Sequence, residues 1–174
     1  GHVSSLYDPE TKVPLIMSIP KIRSKEISSV TQSVDLLPTI LDILNIPLEK
    51  EVEGSSLTPL IKGEKGRSNF AFSELKNPKF DAKSLRIDNY KLIKIKKDNK
   101  TIERLYNMEK GESVDIINLK PDIAAALSKE IDNIVGEKEI ILQTPDKETK
   151  EILRSLGYLA EVDNAMIETG TETE

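Results

Sequence analysis

The sequence contains few side chains that could act as an acid, a base or a metal ligand. Its single histidine, His2, lies in the opening stretch GHVSSLYDPETKVPLIMSIP. A histidine titrates near neutral pH, so His2 could donate or accept a proton or bind a metal. The alternative is a solvent-exposed terminal residue left by a cloning tag. His2 is therefore the candidate site residue, and both interpretations stay open at this point.

Two charged stretches are weaker candidates for chemistry. The lysines of KLIKIKK, residues 91–97, could contact an anionic ligand. However, Ile93 and Ile95 alternate with lysines, which favours a strand with one buried and one solvated face. The stretch ESVD, residues 112–115, and the acidic tail lack the spaced oxygen ligands of a calcium loop. We interpret all of these charges as solvated.

The composition excludes several classes of protein. The chain has 174 residues, of which 37% are hydrophobic and 32% charged, as is typical of a soluble globular protein. A net charge of -5 disfavours nucleic acid as a partner. The absence of cysteine excludes disulfides, thiolate metal sites and cysteine nucleophiles within these residues. No apolar run approaches the roughly 20 residues of a membrane-spanning helix.

The first half of the chain predicts a strand, a helix and a loop. The continuous apolar run Val13–Pro20 predicts a strand buried on both faces, which requires neighbouring strands and helices. SVDLLPTILDILNIP predicts a helix with an apolar face, capped either by Asp35, with Pro38 in the first turn, or by Ser33, with a kink; we favour Asp35. Residues 49–68 predict a long surface loop.

The second half predicts a small sheet covered by a helix. NFAFSEL, KSLRIDN, YKLIKIKK and TIERLYNM predict four antiparallel strands separated by turns. LKPDIAAALSKEIDNIVGE predicts the covering helix, with one apolar face formed by Ile123, Leu127, Ile131 and Ile134. A second short helix is predicted at residues 146–159, and residues 161–174 predict a disordered acidic tail.

Several of these segments, in this order, resemble the C-terminal third of sulfatases of the alkaline phosphatase superfamily. SLYDPETKVPLIM resembles the segment that follows the family's later metal-binding Asp-(His/Asn)-Gly motif. SVDLLPTILDILNIP and EGSSLTPLIKG are similar to its Asp-x-x-Pro-Thr helix and Gly-x-Ser-Leu-x-Pro-Leu loop. FSEL, SLRIDNYKLI and RLYNMEKGESVDIINL resemble its small C-terminal sheet, and LRSLGYL resembles a common family ending.

The resemblance covers roughly residues 2–159 and has one region of departure. Asn107 and Met108 replace the usual Asp and Leu of the turn after the last strand, and Lys110-Gly111 replaces Asp-Pro. Only Glu112 and Asn118 remain of that turn pattern. These positions are structural in the family, so the departure does not alter the implied chemistry.

The resemblance implies that the catalytic centre is not contained in these residues. Sulfatases use a formylglycine, made from a Cys/Ser-x-Pro-x-Arg motif, beside a calcium ion, and this sequence has neither that motif nor those calcium ligands. In many members a lysine just before the Leu-Tyr segment contacts the sulfate. That register falls on Val3, beside His2, and other members have Gly-His there. The resemblance thus implies that His2 contacts sulfate or acts as an acid.

We therefore expect an α+β fold: the last strand and helix of an α/β sulfatase core, then a four-stranded antiparallel sheet packed by a long helix. The expected boundaries are 1–66 for the core edge, 67–160 for the sheet subdomain and 161–174 for the tail. The expected partners are the missing N-terminal catalytic domain and, in the parent protein, a small-molecule or glycan sulfate ester. We expect the chain alone to be inactive.

Two alternatives remain open. The chain could belong to a phosphoester or phosphonate hydrolase of the same superfamily, because the discriminating nucleophile lies upstream of Gly1. It could also be a stand-alone binding or scaffold module. Sulfatases of this type are often exported, but no leader is visible in these residues, so the compartment stays open.

Overall fold

The computed structural model describes residues 5–48, 50–64, 70–77, 80–98 and 100–136. The chain divides into two units, residues 1–137 and 138–174, and every described residue lies in the first. The predicted helix at 146–159 and the acidic tail lie outside the described residues. The described elements are helices α1 (Asp8–Thr11), α2 (Leu36–Ile43), α3 (Thr58–Lys62) and α4 (Pro121–Gly136), and strands β1 (Phe70–Asn77), β2 (Phe80–Ile87), β3 (Tyr90–Lys97) and β4 (Lys100–Asn107).

The four strands form an antiparallel sheet in the order β1-β2-β3-β4, which confirms the predicted meander. Asp88 after β2 and Asp98 after β3 have φ angles of 49° and 48°. Aspartate tolerates this left-handed conformation better than most residues, and it suits the tight turns of two-residue hairpins. The α+β class, with a four-stranded sheet and a long helix, is as expected.

Helix α4 packs on one face of the sheet and forms the main core. Pro121 occupies its first position, where a missing N–H costs nothing, and Asp122 lies in its first turn. The predicted apolar face is confirmed, since Leu127 and Ile131 are buried and Ile123 and Ile134 pack beside them. The fully buried residues that α4 covers are Leu85, Leu92 and Leu105, one from each of the strands β2, β3 and β4.

The opposite face of the sheet also carries buried side chains. Ile93 is 1% exposed and clusters with Ala82, Tyr106 and Leu6, so the burial predicted for Ile93 is confirmed. The face of Lys94, predicted to be solvated, is instead the one that α4 covers, since Lys94 contacts Asp132 and Leu92 lies in the core beneath α4. Both faces are buried in part because the segment beginning at Ser5 lies across one of them and α4 across the other, and alternation within β3 cannot reveal these long-range contacts.

The buried strand predicted for Val13–Pro20 does not form. The structure has no strand at these residues, and the side chains of Val13, Leu15 and Ile16 are exposed, Ile16 by 92%. A strand buried on both faces needs hydrogen-bonding neighbours and covering layers, and the described residues supply neither. The apolar run is therefore exposed in this part of the chain.

Helix α2 begins after Asp35, with Pro38 in its first turn, as the sequence predicts, but the predicted capping of the helix by the Asp35 side chain is wrong. The Asp35 carboxylate accepts hydrogen bonds from the N–H groups of Gln32 and Ser55, both at 2.9 Å, rather than from the first turn of α2. Thr39 Oγ1 accepts a hydrogen bond from the N–H of Leu57 at 2.8 Å. The loop predicted after α2 is therefore anchored to this helix, and it contains the short helix α3.

Gly54 allows the loop to approach α2 closely. A Cβ atom at this position would overlap the backbone carbonyl of Val34. We expect Gly54→Ala to lower the free energy of unfolding by about 3 kcal/mol, because backbone rather than a movable side chain must shift. Urea unfolding followed by circular dichroism measures this change.

The matched control is Gly63→Ala. Gly63 has a φ of 86° and open space where a Cβ would lie, so only left-handed strain of about 1 kcal/mol is expected. Equal losses in the two variants would contradict the close approach at Gly54.

Candidate functional site

The segment Leu6–Thr11 lies on the sheet face opposite α4 and builds a polar site there. Leu6 is buried against Ile93 and anchors the segment, while Pro9 sits in the first turn of α1. The Thr11 hydroxyl donates to the Tyr7 carbonyl at 3.1 Å and closes this turn. The segment that follows His2 in the sequence is thereby fixed on the sheet.

A buried lysine holds the segment in place. Lys91 of β3 is 3% exposed, and its Nζ lies 3.0 Å from Asp8 Oδ1 and 2.8 Å from Glu112 Oε1. The Nζ also donates to Thr11 Oγ1 at 3.2 Å, and Glu112 Oε2 accepts the N–H of Asp8 at 2.6 Å. A buried ammonium is tolerable because two carboxylates compensate its charge. This Lys91 ion pair joins three distant segments of the chain.

Beside it lies the Tyr–Arg cluster, which consists of Tyr7, Arg104 and Tyr106. Arg104 Nη1 donates to the Tyr7 hydroxyl at 2.8 Å, and the two tyrosine hydroxyls lie 3.2 Å apart. The two rings meet edge to face at 5.9 Å between centroids, a favourable aromatic geometry. The alternating register of β4 places Arg104 and Tyr106 on the same sheet face.

Two groups of this cluster have shifted pKa values. Burial, reinforced by the hydrogen bond to Tyr7, raises the pKa of Tyr106 to about 12, so its hydroxyl stays protonated. The hydrogen bond to Tyr7 raises the pKa of Arg104 above its ordinary value, so its guanidinium stays charged. Arg104 therefore presents a positive charge and Tyr106 a neutral hydroxyl.

An open pocket of about 600 Å³ lies over this cluster. Its lining residues, apart from the cluster itself, are Glu112, Ser113 and Asp115. Asp115 Oδ1 accepts the N–H groups of Leu105 and Ile117 at 3.1 and 3.0 Å. The lining is mostly polar and offers both donors and acceptors to a ligand.

The predicted site residue His2 lies outside the described residues, so its role stays a prediction. Sequence reasoning did not single out Lys91, Arg104 or Tyr106. A signal for Lys91 was available, since it shares a strand face with Ile93 and Ile95, and a lysine on an apolar face must find partners. No local signal could have paired Arg104 with Tyr7, because they are 97 positions apart.

The remaining lysines of β3 confirm the solvated interpretation only in part. Lys94 faces α4, where its Nζ lies 2.7 Å from Asp132 Oδ1 and 3.6 Å from Glu103 Oε1. Lys96 and Lys97 are exposed. The stretch KLIKIKK is therefore not a continuous basic surface, because two of its lysines are neutralised by carboxylates.

The family comparison decides the identity of this unit. A family model described as the C-terminal part of N-sulphoglucosamine sulphohydrolase matches residues 4–139. The chain belongs to this family. The match includes the segment Leu6–Thr11, the sheet and helix α4, so the site described above lies within the family region.

Similar proteins agree with this sulfatase C-terminal assignment. Arylsulfatase K of Bos taurus is 27% identical over 149 residues, covering 78% of this chain and 28% of that protein. A Delta 4,5-hexuronate-2-O-sulfatase of Bacteroides thetaiotaomicron is 29% identical over 167 residues, covering 89% of this chain and 32% of that protein. The chain thus spans about a third or less of the length of these curated relatives.

A solved structure supports the same assignment in three dimensions. The crystal structure of a Bacteroides thetaiotaomicron protein described as a sulfatase superposes with a TM-score of 0.68 at 28% identity. It covers 79% of this chain and 32% of that one. The fold of the sulfatase C-terminal region is therefore shared by this chain.

Full-length sulfatases are expected to use calcium and formylglycine, and the described residues do not fit the metal. Within residues 5–136, gaps excepted, no three His, Cys, Asp or Glu side chains are grouped so that they could hold an ion. The carboxylates of the site, Asp8, Glu112 and Asp115, instead pair with Lys91 or with backbone N–H groups.

No helix in this part of the chain has the length and apolar character to cross a membrane.

Proposed function

We propose that this chain is the C-terminal part of a sulfatase-like hydrolase that acts on sulfate esters, and that it is not catalytic by itself. The observation that carries this proposal is the family match over residues 4–139, together with relatives described as sulfatases. The chain supplies the sheet unit, and a catalytic domain that precedes it supplies the reaction centre.

The chemistry of sulfate transfer supports the non-catalytic part of the proposal. Attack on a sulfate ester needs an activated oxygen nucleophile and concentrated positive charge around the sulfate oxygens. The sequence has no cysteine and no Ser-x-Pro-x-Arg motif that could yield formylglycine. In the full-length protein that residue and calcium would come from the preceding domain.

Exposed apolar side chains support a missing catalytic domain as the partner. Within residues 13–48 a run of large apolar residues lies open to solvent, whereas Leu85, Leu92 and Leu105 of the sheet and Leu127 and Ile131 of α4 are buried. The exposed residues are Val13, Leu15, Ile16, Ile22, Ile27, Val34, Leu37, Ile40, Leu44, Ile46 and Leu48. Exposed apolar surface of this extent marks an interaction site. We propose that residues 1–66 form the edge of the catalytic core and that residues 67–160 form the attached subdomain.

His2 belongs to this proposal as the residue of the chain that lies nearest the reaction. In the complete protein it contacts the substrate sulfate or protonates the leaving oxygen. Five residues of chain span at most about 18 Å, so such a contact would lie within that distance of Tyr7. The neighbouring position, Val3, holds no charge that could take this role instead.

The substrate class proposed is a sulfated sugar that carries an acidic group. Support comes from the bacterial relative, whose name describes a sulfatase of a hexuronate. The name of the arylsulfatase relatives also describes action on sulfate esters, which favours sulfate over phosphate as the group transferred.

A comparison of the 174-residue chain with the complete gene product tests this proposal. Both are incubated with 4-methylumbelliferyl sulfate and a 2-O-sulfated uronate in the presence of calcium. We expect hydrolysis by the complete protein and none by the chain alone. Hydrolysis by the chain alone would overturn its non-catalytic role. A complete protein without a formylglycine motif upstream, active only on phosphate esters, would overturn the sulfatase function.

A further inference from the structure

The Tyr–Arg cluster has more hydrogen-bond donors than the described residues supply with acceptors. Arg104 carries five N–H donors, and each tyrosine hydroxyl carries one. The contact between the Tyr7 and Tyr106 hydroxyls uses one of the two hydroxyl protons. The cluster's own acceptors are the same two oxygens, and one of them already accepts from Arg104. Donors to the open pocket therefore outnumber acceptors within the cluster.

Among the described residues, the positive charge of Arg104 is also uncompensated. In the described part of the chain, no carboxylate forms an ion pair with it. The two carboxylates of the same pocket have other partners: Glu112 pairs with Lys91, and Asp115 accepts two backbone N–H groups. The guanidinium is exposed and is held in position by Tyr7. A planar, pre-oriented guanidinium matches the paired oxygens of a carboxylate or sulfate.

The pocket lining also contains groups of different chemistry. Ser113 and Asp115 offer oxygen acceptors, which suit neutral hydroxyl donors rather than an anion. A ligand that satisfies both kinds of group carries an anionic group and hydroxyl groups. A sugar ring bearing a carboxylate or a sulfate has this arrangement.

We propose that the pocket over Tyr7, Arg104 and Tyr106 is a substrate subsite for a second anionic group on a sugar. This group is a carboxylate or sulfate distinct from the sulfate that is cleaved. The inference rests on the proposed function, because it assumes that the complete protein acts on sulfated sugars. The subsite selects substrates and takes no part in the chemical step.

Steady-state kinetics of the complete protein test the subsite. The substrates are 4-methylumbelliferyl sulfate, which has no second anion, a 2-O-sulfated uronate, whose second anion is a carboxylate, and a disulfated glucose without a carboxylate. We expect Arg104→Gln to raise KM at least about tenfold for a two-anion substrate, with kcat unchanged. The aryl sulfate should be hydrolysed as by the unmodified protein. The uronate and the disulfated glucose show which anion the site prefers.

Arg86→Gln is the matched control, because it removes the same charge from the same sheet face outside the pocket. It should leave all three KM values unchanged. A uniform rise for every substrate in Arg104→Gln, or no rise for either two-anion substrate, would overturn the subsite.

Direct binding separates this inference from the proposed function. In the complete protein, NMR or calorimetric titration with glucuronate and with inorganic sulfate should detect an anion site that Arg104→Gln removes and Arg86→Gln preserves. If the protein hydrolyses no sulfate ester yet loses such binding only in Arg104→Gln, the function fails and the anion site stands. If hydrolysis occurs and binding of both probes is the same in both variants, the subsite fails and the function stands.

Discussion

Replacing Lys91 with methionine is expected to lower the free energy of unfolding of the sheet unit by about 3–5 kcal/mol. The Lys91 side chain is 4% exposed and Glu112 is 9% exposed, so the pair has little access to water. Without the ammonium, the Glu112 and Asp8 carboxylates lie close together with no positive charge between them. The loss should appear in urea unfolding followed by circular dichroism.

The same substitution should also release the segment Leu6–Thr11 from the sheet, because two of the contacts of Lys91 are to Asp8 and Thr11. Trypsin cleavage after Lys12 then becomes faster under native conditions. In the complete protein, the proposed sulfatase activity should fall with it, since the released segment leads directly to His2, the residue proposed to contact the sulfate. Limited proteolysis with mass spectrometry measures the release.

Two further variants separate the buried ion pair from a general effect of losing a lysine. Lys97→Met removes a charge from the exposed end of the same strand and should cost less than about 0.5 kcal/mol. Combining Lys91→Met with Asp8→Asn and Glu112→Gln removes the unpaired charges and should recover part of the loss. An unchanged rate of cleavage after Lys12 in Lys91→Met would contradict the role of Lys91 in holding the segment.

The sheet and α4 could be predicted from sequence because their signals are local. Turn residues such as Asp88 mark where one strand ends and the next begins, and the spacing of apolar residues from Ile123 to Ile134 specifies the buried face of the helix. Each of these elements finds its packing partner within the same hundred residues, so local pattern and tertiary burial agree. The same reasoning failed for Val13–Pro20, whose apolar run specifies burial without a partner among the described residues.

The candidate site was harder to predict than the fold because its contacts are long-range. Tyr7 meets Arg104 and Asp8 meets Lys91 across more than 80 positions, and no periodicity connects such pairs. The register of β3 did hold one usable clue, since it places Lys91 beside Ile93 on an apolar face. The resemblance identified the family, yet it directed attention to His2 rather than to Arg104, because family motifs mark the reaction centre.

Replacing both Leu37 and Ile40 with aspartate should destabilise the isolated chain little and the complete protein strongly. Both side chains are exposed on α2, at 54% and 47%, so the isolated chain should lose less than about 0.5 kcal/mol of unfolding free energy. Its binding of a hydrophobic dye should fall, because two apolar groups leave the surface. In the complete protein, the proposed catalytic domain covers this face, and two buried carboxylates would cost several kcal/mol.

The measurement compares dye fluorescence of the isolated chain with soluble yield and thermal unfolding of the complete protein. Ala125→Asp on the exposed face of α4 is the control, since it adds one such carboxylate to a helix outside the proposed contact. It should be tolerated in both proteins. If the complete protein tolerates aspartate at Leu37 and Ile40 as well as it tolerates Ala125→Asp, this face of α2 does not contact the catalytic domain.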